Sequence, residues 1–304
     1  MTAHWGTTTS SAPSLTGDSD STIVAWVDEN QGLNTAWVHS FDASKSAVAV
    51  PTPETAVGRP GVLGGYIAWS GTDGQGTINV ALSNSEVRYD PVVYEQKVTL
   101  WGRHAPAGPA IAWGNNRLYL AWADEQGTLF LGWSATPMDE NSWQSAQLPD
   151  SAIDAPSLSA GYGDRVWLGW AGTDGNGTLN VASGFRPGAE SSYDKTTLDG
   201  NAGAFFQPQM PPAFHGPDNS PRGPQLEVDD LSFTMAYAGG DQHIYLLIAF
   251  AGSFSRYKCN DTSDVGVAVT GRTGGGGFAW RGLDGGHTLN TASNENEMGA
   301  VEAN

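Results

Sequence analysis

Apolar and polar residues alternate in short runs along this chain, and one such pattern recurs. The segments WSGTDGQGTINVA (69–81) and WAGTDGNGTLNVA (170–182) match closely. Each has a tryptophan in an apolar run, then a polar turn, then a second apolar run. Short runs rich in Val, Ile, Leu and Trp predict β-strands. The Asp–Gly pairs predict tight turns, because Gly accepts positive φ angles. The pattern therefore predicts a β-hairpin that the chain uses repeatedly.

Weaker copies of the hairpin raise the number of repeats to six. The copies share an aromatic residue in the first run, at Trp26, Trp69, Trp122, Trp170, Tyr237 and Trp280. Most spacings lie near the ~40–50 residues of a four-stranded propeller blade. A short apolar run, usually led by Pro as in GPAIA (108–112), precedes each hairpin, and a trailing run such as KVTLW (97–101) follows. Each repeat thus predicts four strands.

The two ends of the chain predict how the ring closes. Residues 1–13 align with residues 97–109, so that Trp5 matches Trp101 and the chain begins in an outer strand. The sixth repeat has only three strands of its own. We expect residues 2–5 to supply the fourth, since closure removes an open sheet edge. The prediction is an all-β, six-bladed propeller in a single domain, residues 1–304.

Composition excludes some partners. The formal charge is −18 with only 14 basic residues, the wrong sign for a nucleic acid or an anionic membrane surface. No apolar run reaches 18 residues, so no membrane span is predicted. The residues after Met1 are polar and predict no signal peptide. Cys259 is the single cysteine and allows no internal disulfide.

The repeated turns carry candidate ligand-binding residues. Asp73, Asp174 and Asp284 lie in the turns, and Asn79 and Asn180 begin the return strands. Asp is favoured in turns because its carboxylate accepts backbone N–H bonds, which explains the repetition without any ligand. The alternatives are hydrogen bonds to sugar hydroxyls, or a Ca²⁺ site completed by other loops, because these turns are too short to supply all the ligands. No other cofactor is predicted, and the anchor aromatics are expected to pack in the core.

A long insertion provides a second set of candidates. Residues 199–224 precede the fifth repeat and include Phe206, His215 and Arg222. Long connections of this kind are usually functional or disordered. Arg59, Arg103 and Arg222 each precede a first strand, so we expect them on the face of the insertion. They would either hold a carboxylate ligand or pair with the turn Asp residues.

Evidence for catalysis is weak. Glycoside hydrolysis typically needs two carboxylates, and the predicted inner strands offer them only in QLEVDD (225–230). The six histidines lack metal-ligand spacing. A hydrolase using Glu227 and the 199–224 loop stays an alternative, and no catalytic residue is assigned.

The repeats resemble a known class of propellers. The segments WSGTDGQGTINVA, GPAIAWGNNRLYLAW and WAGTDGNGTLNVA look like bacterial propeller repeats, similar to tectonin-type lectins and more distantly to the sialidase superfamily. The resemblance implies a carbohydrate-binding propeller, often secreted or surface-attached. We therefore expect glycan binding at several equivalent weak sites, which gain from multivalency. The alternatives are a glycoside hydrolase with one axial site and a protein-interaction scaffold that uses residues 199–224.

Overall fold

The computed structural model describes residues 3–17, 22–38, 50–83, 94–161, 165–185, 192–198, 220–228, 232–250, 253–272, 275–292, 298–299 and 301–302. Within these ranges the strands form six antiparallel sheets, each a blade. The first strand of each blade contacts the first strand of the next, and the last blade contacts the first. The blades therefore form a closed six-bladed propeller around a central axis, as the repeats predict.

The chain begins with a strand of the last blade, and the next three blades follow in order. This first strand is β1 (Ala3–Thr8). Blade 1 consists of β2 (Ser14–Gly17), β3 (Thr22–Val27), β4 (Gly32–Val38) and β5 (Val50–Thr55). Blade 2 consists of β6 (Val57–Leu63), β7 (Tyr66–Ser70), β8 (Thr77–Ser83) and β9 (Tyr94–His104). Blade 3 consists of β10 (Ala110–Gly114), β11 (Arg117–Ala123), β12 (Thr128–Ser134) and β13 (Gln144–Ser151), with a short 3₁₀ helix at Glu140–Ser142.

The remaining blades follow the same order from the axis outward. Blade 4 consists of β14 (Ser157–Gly161), β15 (Arg165–Ala171), β16 (Leu179–Ser183) and β17 (Asp194–Thr197). Blade 5 consists of β18 (Gln225–Val228), β19 (Ser232–Ala238), β20 (His243–Phe250), β21 (Ser253–Thr262) and β25 (Val301–Glu302). Blade 6 consists of β22 (Val267–Arg272), β23 (Gly275–Arg281), β24 (Thr288–Ala292) and β1.

The two chain ends pair with different blades. Strand β1 pairs with β24 through Ala3 and Thr291, which confirms the predicted closure of the last blade. Strand β25 pairs with β21 through Val301 and Lys258 and gives blade 5 a fifth strand. The sequence predicts no strand there, because a two-residue pairing leaves no alternation to detect. An outer strand offers free N–H and C=O groups, and the tail satisfies some of them.

Each interface between blades has its own apolar core. The anchor aromatic of every blade packs with residues of the preceding blade, in six separate clusters. Trp69 and Trp170 are 1% exposed and Trp122 is 3% exposed. This confirms that the repeated aromatic is a core residue. Replacing such a side chain with Ala typically costs about 3–5 kcal/mol.

The glycines that precede two of the first strands allow close contacts between backbone segments near the axis. Gly108 has φ +103°, and a Cβ there would lie 1.9 Å from the carbonyl oxygen of Arg59. A Cβ on Gly223 would lie 1.9 Å from the carbonyl oxygen of Ala155. The Gly–Pro lead-ins at these two positions therefore allow a backbone approach that no side chain permits.

Candidate inter-blade binding cleft

The predicted turn carboxylates bind their own turns. Oδ1 of Asp73 accepts from the N–H of Gly76 at 2.9 Å, and Oδ1 of Asp174 accepts from the N–H of Gly177 at 2.9 Å. Asp284 accepts a backbone N–H bond in the same manner. The Thr77 side chain and these amides lower the pKa of Asp73 to about 2. The Thr178 and Thr288 hydroxyls likewise lower the pKa of Asp174 and the pKa of Asp284. Each carboxylate thus has a structural task in its hairpin.

The repeated asparagines are buried between strands. Nδ2 of Asn79 donates to the carbonyl of Thr77 at 3.0 Å, and its Oδ1 accepts from the Thr99 hydroxyl at 2.8 Å. Asn180 makes the equivalent bonds within blade 4. Both polar atoms of each amide are therefore engaged inside the blade. A role for these two residues in ligand binding stays a prediction.

Arg59 fills the centre of the propeller. Its guanidinium donates to the carbonyl of Ala155 at 3.0 Å, to that of Pro224 at 3.2 Å, and also to that of Pro156. Burial lowers the pKa of Arg59 to about 10, against the opposing charge of Asp154. Arg59 therefore links its own blade to blades 4 and 5 by hydrogen bonds near the axis.

Arg222 lies at the axial mouth with Arg281, which the sequence analysis missed. The two residues, together with Arg59 and Asp154, line a cavity of about 230 Å³. Nε of Arg222 donates to the carbonyl of Asp264 at 2.8 Å, and Arg281 forms a bidentate pair with the Asp264 carboxylate. Arg281 follows its anchor Trp directly, where most repeats have a small residue. An arginine at the position after the anchor Trp was therefore the sequence feature that could have identified Arg281.

Arg103 lies apart from the other two predicted arginines, in a cleft between blades 2 and 3. The cleft has a volume of about 450 Å³. It is lined by Gln75, Gly102, Arg103, His104, Trp122, Asp124, Glu125, Gln126, Phe130 and Ser145. Phe206 and His215 lie outside the described residues, as does the rest of the 199–219 segment.

An irregular strand brings Arg103 into the cleft. Strands β8 and β9 pair at Ile78 and Leu100 and then at Thr77 and His104, so residues 101–103 bulge out of the ladder. Gly102 has φ +76°, a conformation that favours glycine. Trp101, the first residue of the bulge, is 73% exposed. Such bulges redirect side chains, and here the redirected side chain is a cation.

The Arg103 guanidinium is only partly satisfied by the protein. Its NH2 group donates to the carbonyl of Trp143 at 2.9 Å. Its Nε is buried and has no hydrogen-bond partner among the described residues. Desolvation by burial lowers the pKa of Arg103. Because Nε is out of contact with solvent, a ligand in the cleft would accept from the terminal N–H groups of the guanidinium, which are charge-assisted donors.

Aromatic and acidic groups complete the cleft. Trp122 and Phe130 stack with ring centroids 5.4 Å apart and planes 10° apart, and Phe130 is half-buried. Asp124 and Glu125 in the hairpin turn add carboxylates at the same cavity. An apolar surface with a few convergent donors and acceptors suits a small polar ligand that has one apolar face.

Metal-binding clusters and membrane-spanning helices are both absent from the described residues. No group of three or more His, Cys, Asp or Glu residues in these ranges is arranged to hold a metal ion. In the same ranges, no helix has the length and apolar character needed to cross a membrane.

Comparisons with known proteins identify structural neighbours only. No family model and no curated protein matches the sequence. The fucose-specific lectin from Aleuria aurantia has a TM-score of 0.60 and 11% identity, over 98% of this chain and 96% of that chain. The α-L-arabinofuranosidase of Fusarium graminearum has a TM-score of 0.60 and 10% identity, over 93% and 92%. The Trypanosoma rangeli sialidase has a TM-score of 0.58 and 10% identity, over 96% and 56%. At these identities the similarity shows the propeller fold.

Proposed function

We propose that this protein is a carbohydrate-binding propeller whose site is the cleft between blades 2 and 3. The observation that carries the proposal is the half-buried Arg103 guanidinium, for which Trp143 supplies one carbonyl acceptor, in a cavity that also contains Phe130 and two carboxylates. A sugar ring matches this set of groups. Its C–H face packs on an aromatic ring, and its hydroxyls accept from a guanidinium and donate to carboxylates.

The charges of the cleft favour a neutral sugar. Arg103 contributes one positive charge, and Asp124 and Glu125 contribute two negative charges. An anionic ligand would meet a net negative site, whereas hydroxyls use both kinds of group. Asp124 accepts backbone N–H bonds from Gln126 and Thr128 through Oδ1, and Arg103 donates to the carbonyl of Trp143. Sugar hydroxyls can therefore bond to Oδ2 of Asp124, to Glu125 and to the guanidinium without breaking an ion pair of the described residues.

The structural neighbours and the repeat resemblance support the same class of function. Aleuria aurantia lectin has been solved in complex with α-methyl-L-fucoside, and a Burkholderia pseudomallei lectin has the same architecture with 17% identity. The more specific assignment, a bacterial repeat family close to tectonin-type lectins, stays part of the proposal. So do a secreted or surface location, the absence of a nucleic-acid partner and a role for Ca²⁺.

A hydrolase is the second candidate, since two of the neighbours carry such names. Glu227 lines an axial cavity of about 140 Å³, and no other carboxylate lines it among the described residues. A hydrolase of the usual kind needs a pair. The binding proposal is therefore favoured over the enzyme. A protein-interaction role for residues 199–224 depends mainly on a segment outside the described residues.

A glycan array followed by calorimetry tests the proposal. The array is run with Ca²⁺ and with a chelator, and a binding sugar is then titrated into the wild-type protein and into Ser145→Lys. Lysine at this position fills the cleft and should weaken binding by about 10- to 100-fold. The matched control is Gln144→Lys, which adds the same charge on the opposite face of β13. Unchanged affinity in Ser145→Lys would contradict the site, and a blank array would contradict the function for the sugars tested.

A further inference from the structure

One position on the outermost strand differs between blade 3 and three other blades. Outermost strands carry the segments KVTL (97–100), SAQL (145–148), KTTL (195–198) and RYKC (256–259). The last residue of each segment is 1% exposed, which fixes the alignment. The first residue of each is here called the closing position, and it is Lys97, Ser145, Lys195 and Arg256.

Strand register places these four residues equivalently. They pair with Ala81, Gly132, Ala182 and Leu247, respectively. Each of those partners lies two residues after the residue that pairs with the blade's anchor aromatic. In the four blades whose closing position lies among the described residues, it is a cation in blades 2, 4 and 5 and a serine in blade 3.

The lysines at the closing position cover the anchor tryptophans. Nζ of Lys97 lies 5.1 Å from the ring centroid of Trp69, and Nζ of Lys195 lies 5.2 Å from that of Trp170. Cations at this distance are attracted to the negative face of the ring. The aliphatic stem and the ammonium group thus occupy the space over the ring in the clefts between blades 1 and 2 and between blades 3 and 4.

Each of these lysines is held by an acid from the preceding blade. Lys97 pairs with Glu54 at 2.6 Å, and Lys195 pairs with Asp150. The Tyr193 hydroxyl also donates to Asp150. The protein itself therefore provides both the group over the ring and the group that anchors it.

The open cleft has changed at both positions. Glu54, Asp150 and Arg103 each directly precede the residue that ends the outermost strand's ladder with the return strand. Where the other two clefts have an acid and a lysine, the cleft between blades 2 and 3 has Arg103 and Ser145. The filling side chain is absent, and an acceptor is replaced by a donor. A third position also differs, because Phe130 pairs with Trp122 where Asn79 and Asn180 pair with the anchors of the other two blades.

We propose that the clefts between blades 1 and 2 and between blades 3 and 4 are latent copies of the same sugar site, each occupied by the chain's own lysine. The closing position then determines how many clefts bind. This inference rests on the proposed function. A sugar entering either latent cleft would have to displace a lysine that is already paired, and it would find an acid where the open cleft offers Arg103.

The test converts a latent cleft into an open one. Lys195→Ser together with Asp150→Arg gives the cleft of blades 3 and 4 the two residues found in the open cleft, and Trp170 becomes the apolar surface. We expect calorimetric stoichiometry with the array-selected sugar to rise from one to two per chain. The matched control is Lys258→Ser, which removes a lysine paired with Asp241 at a different position on its strand. It should leave the stoichiometry at one.

A third variant tests whether the converted cleft binds sugar independently of the cleft between blades 2 and 3. When Ser145→Lys is added to Lys195→Ser/Asp150→Arg, the stoichiometry should return to one while the added site stays occupied. A wild-type stoichiometry above one, or a converted protein that folds normally and still binds one sugar, would overturn the inference and leave the proposed function intact.

A second measurement needs no ligand and keeps the two proposals distinguishable. Hydroxyl-radical footprinting with mass spectrometry reports the accessibility of Trp170, which is 1% exposed in the wild type. Oxidation of Trp170 should increase in Lys195→Ser/Asp150→Arg, because Asn180 stands at the position from which Phe130 covers Trp122 in the open cleft. It should stay at the wild-type level in Lys258→Ser. If it does not increase, the lysine does not close the cleft. If it increases while wild-type protein binds no sugar, the proposed function fails and the closing role stands.

Discussion

The cleft between blades 2 and 3 and the cleft between blades 3 and 4 share the strand register around the anchor tryptophan and differ in their chemistry. Both have a buried anchor tryptophan, the same strand register and a hairpin turn with an Asp. In one cleft Lys195 covers Trp170 and pairs with Asp150. In the other, Ser145 leaves a cavity of about 450 Å³ that contains Arg103.

The comparison shows that repetition of the blade does not by itself repeat the site. The features shared by all blades are those that the fold needs: an aromatic anchor, a turn and a return strand. The cleft left for a ligand differs from the two filled ones at three positions, which are Arg103, Phe130 and Ser145. The residues that attract notice in the sequence make hydrogen bonds within their own blades, namely Asp73, Asp174, Asp284, Asn79 and Asn180.

The largest expected effect is the loss of stability when an anchor tryptophan is removed, and it should be equal in the two clefts. Trp122→Ala and Trp170→Ala should each lower the free energy of unfolding by about 3–5 kcal/mol, because both rings are buried between blades. Urea denaturation measures this, with Trp101→Ala as an exposed control that should change it by at most about 0.5 kcal/mol. A small effect for Trp122→Ala alone would mean that Trp122 does not stabilise the interface between blades 2 and 3 as Trp170 stabilises the interface between blades 3 and 4.

The next effect concerns the donor in the open cleft. Arg103→Met keeps the length of the side chain and removes its donors, so sugar affinity should fall by about 10- to 100-fold, the range expected for a charge-assisted hydrogen bond. Calorimetry measures the affinity, and Arg165→Met, an exposed arginine on blade 4, serves as the control. Equal affinities in the two variants would remove Arg103 from the site.

A smaller effect should separate the two filled clefts. A double-mutant cycle on Lys195 and Asp150 should give a coupling of up to about 1 kcal/mol, because these side chains are 37% and 16% exposed. The pair of Lys97 and Glu54 is 38% and 30% exposed and should couple more weakly. Thermal or urea denaturation of the single and double variants measures both. A stronger coupling for the second pair would contradict the ranking by exposure.

The smallest expected effect is the loss of folding stability at low pH through the turn carboxylates, which both kinds of cleft have. The pKa of Asp73 is lowered in the folded state to about 2, so the unfolded chain binds more protons between about pH 4 and pH 2. The contribution of Asp73 is present above the unfolded pKa and is lost as pH falls through that window. Asp73→Asn should flatten this part of the stability–pH curve. A slope identical to that of the wild type would show that the carboxylate adds nothing to the turn.

The candidate site was only partly accessible to sequence reasoning. Arg103 was predicted because it precedes a first strand, yet it was grouped with Arg59 and Arg222, from which the structure separates it. Arg103 lies on the outermost strand of blade 2, in a bulge of three residues (101–103), and a single sequence does not reveal such a mismatch between strands. Ser145 was missed, although the alignment of SAQL with KVTL and KTTL contained the signal.

The sequence by itself determined the number of blades, the strand order within each blade and the closure by the N-terminal strand. These follow from local physics, because anchor, turn and alternation lie within a few residues of one another and recur in each repeat. Tertiary structure decided which cleft is open. It also decided that Arg59 links three blades near the axis. Those outcomes depend on side chains from neighbouring blades meeting across an interface, at positions far apart in the chain and set by register and bulges.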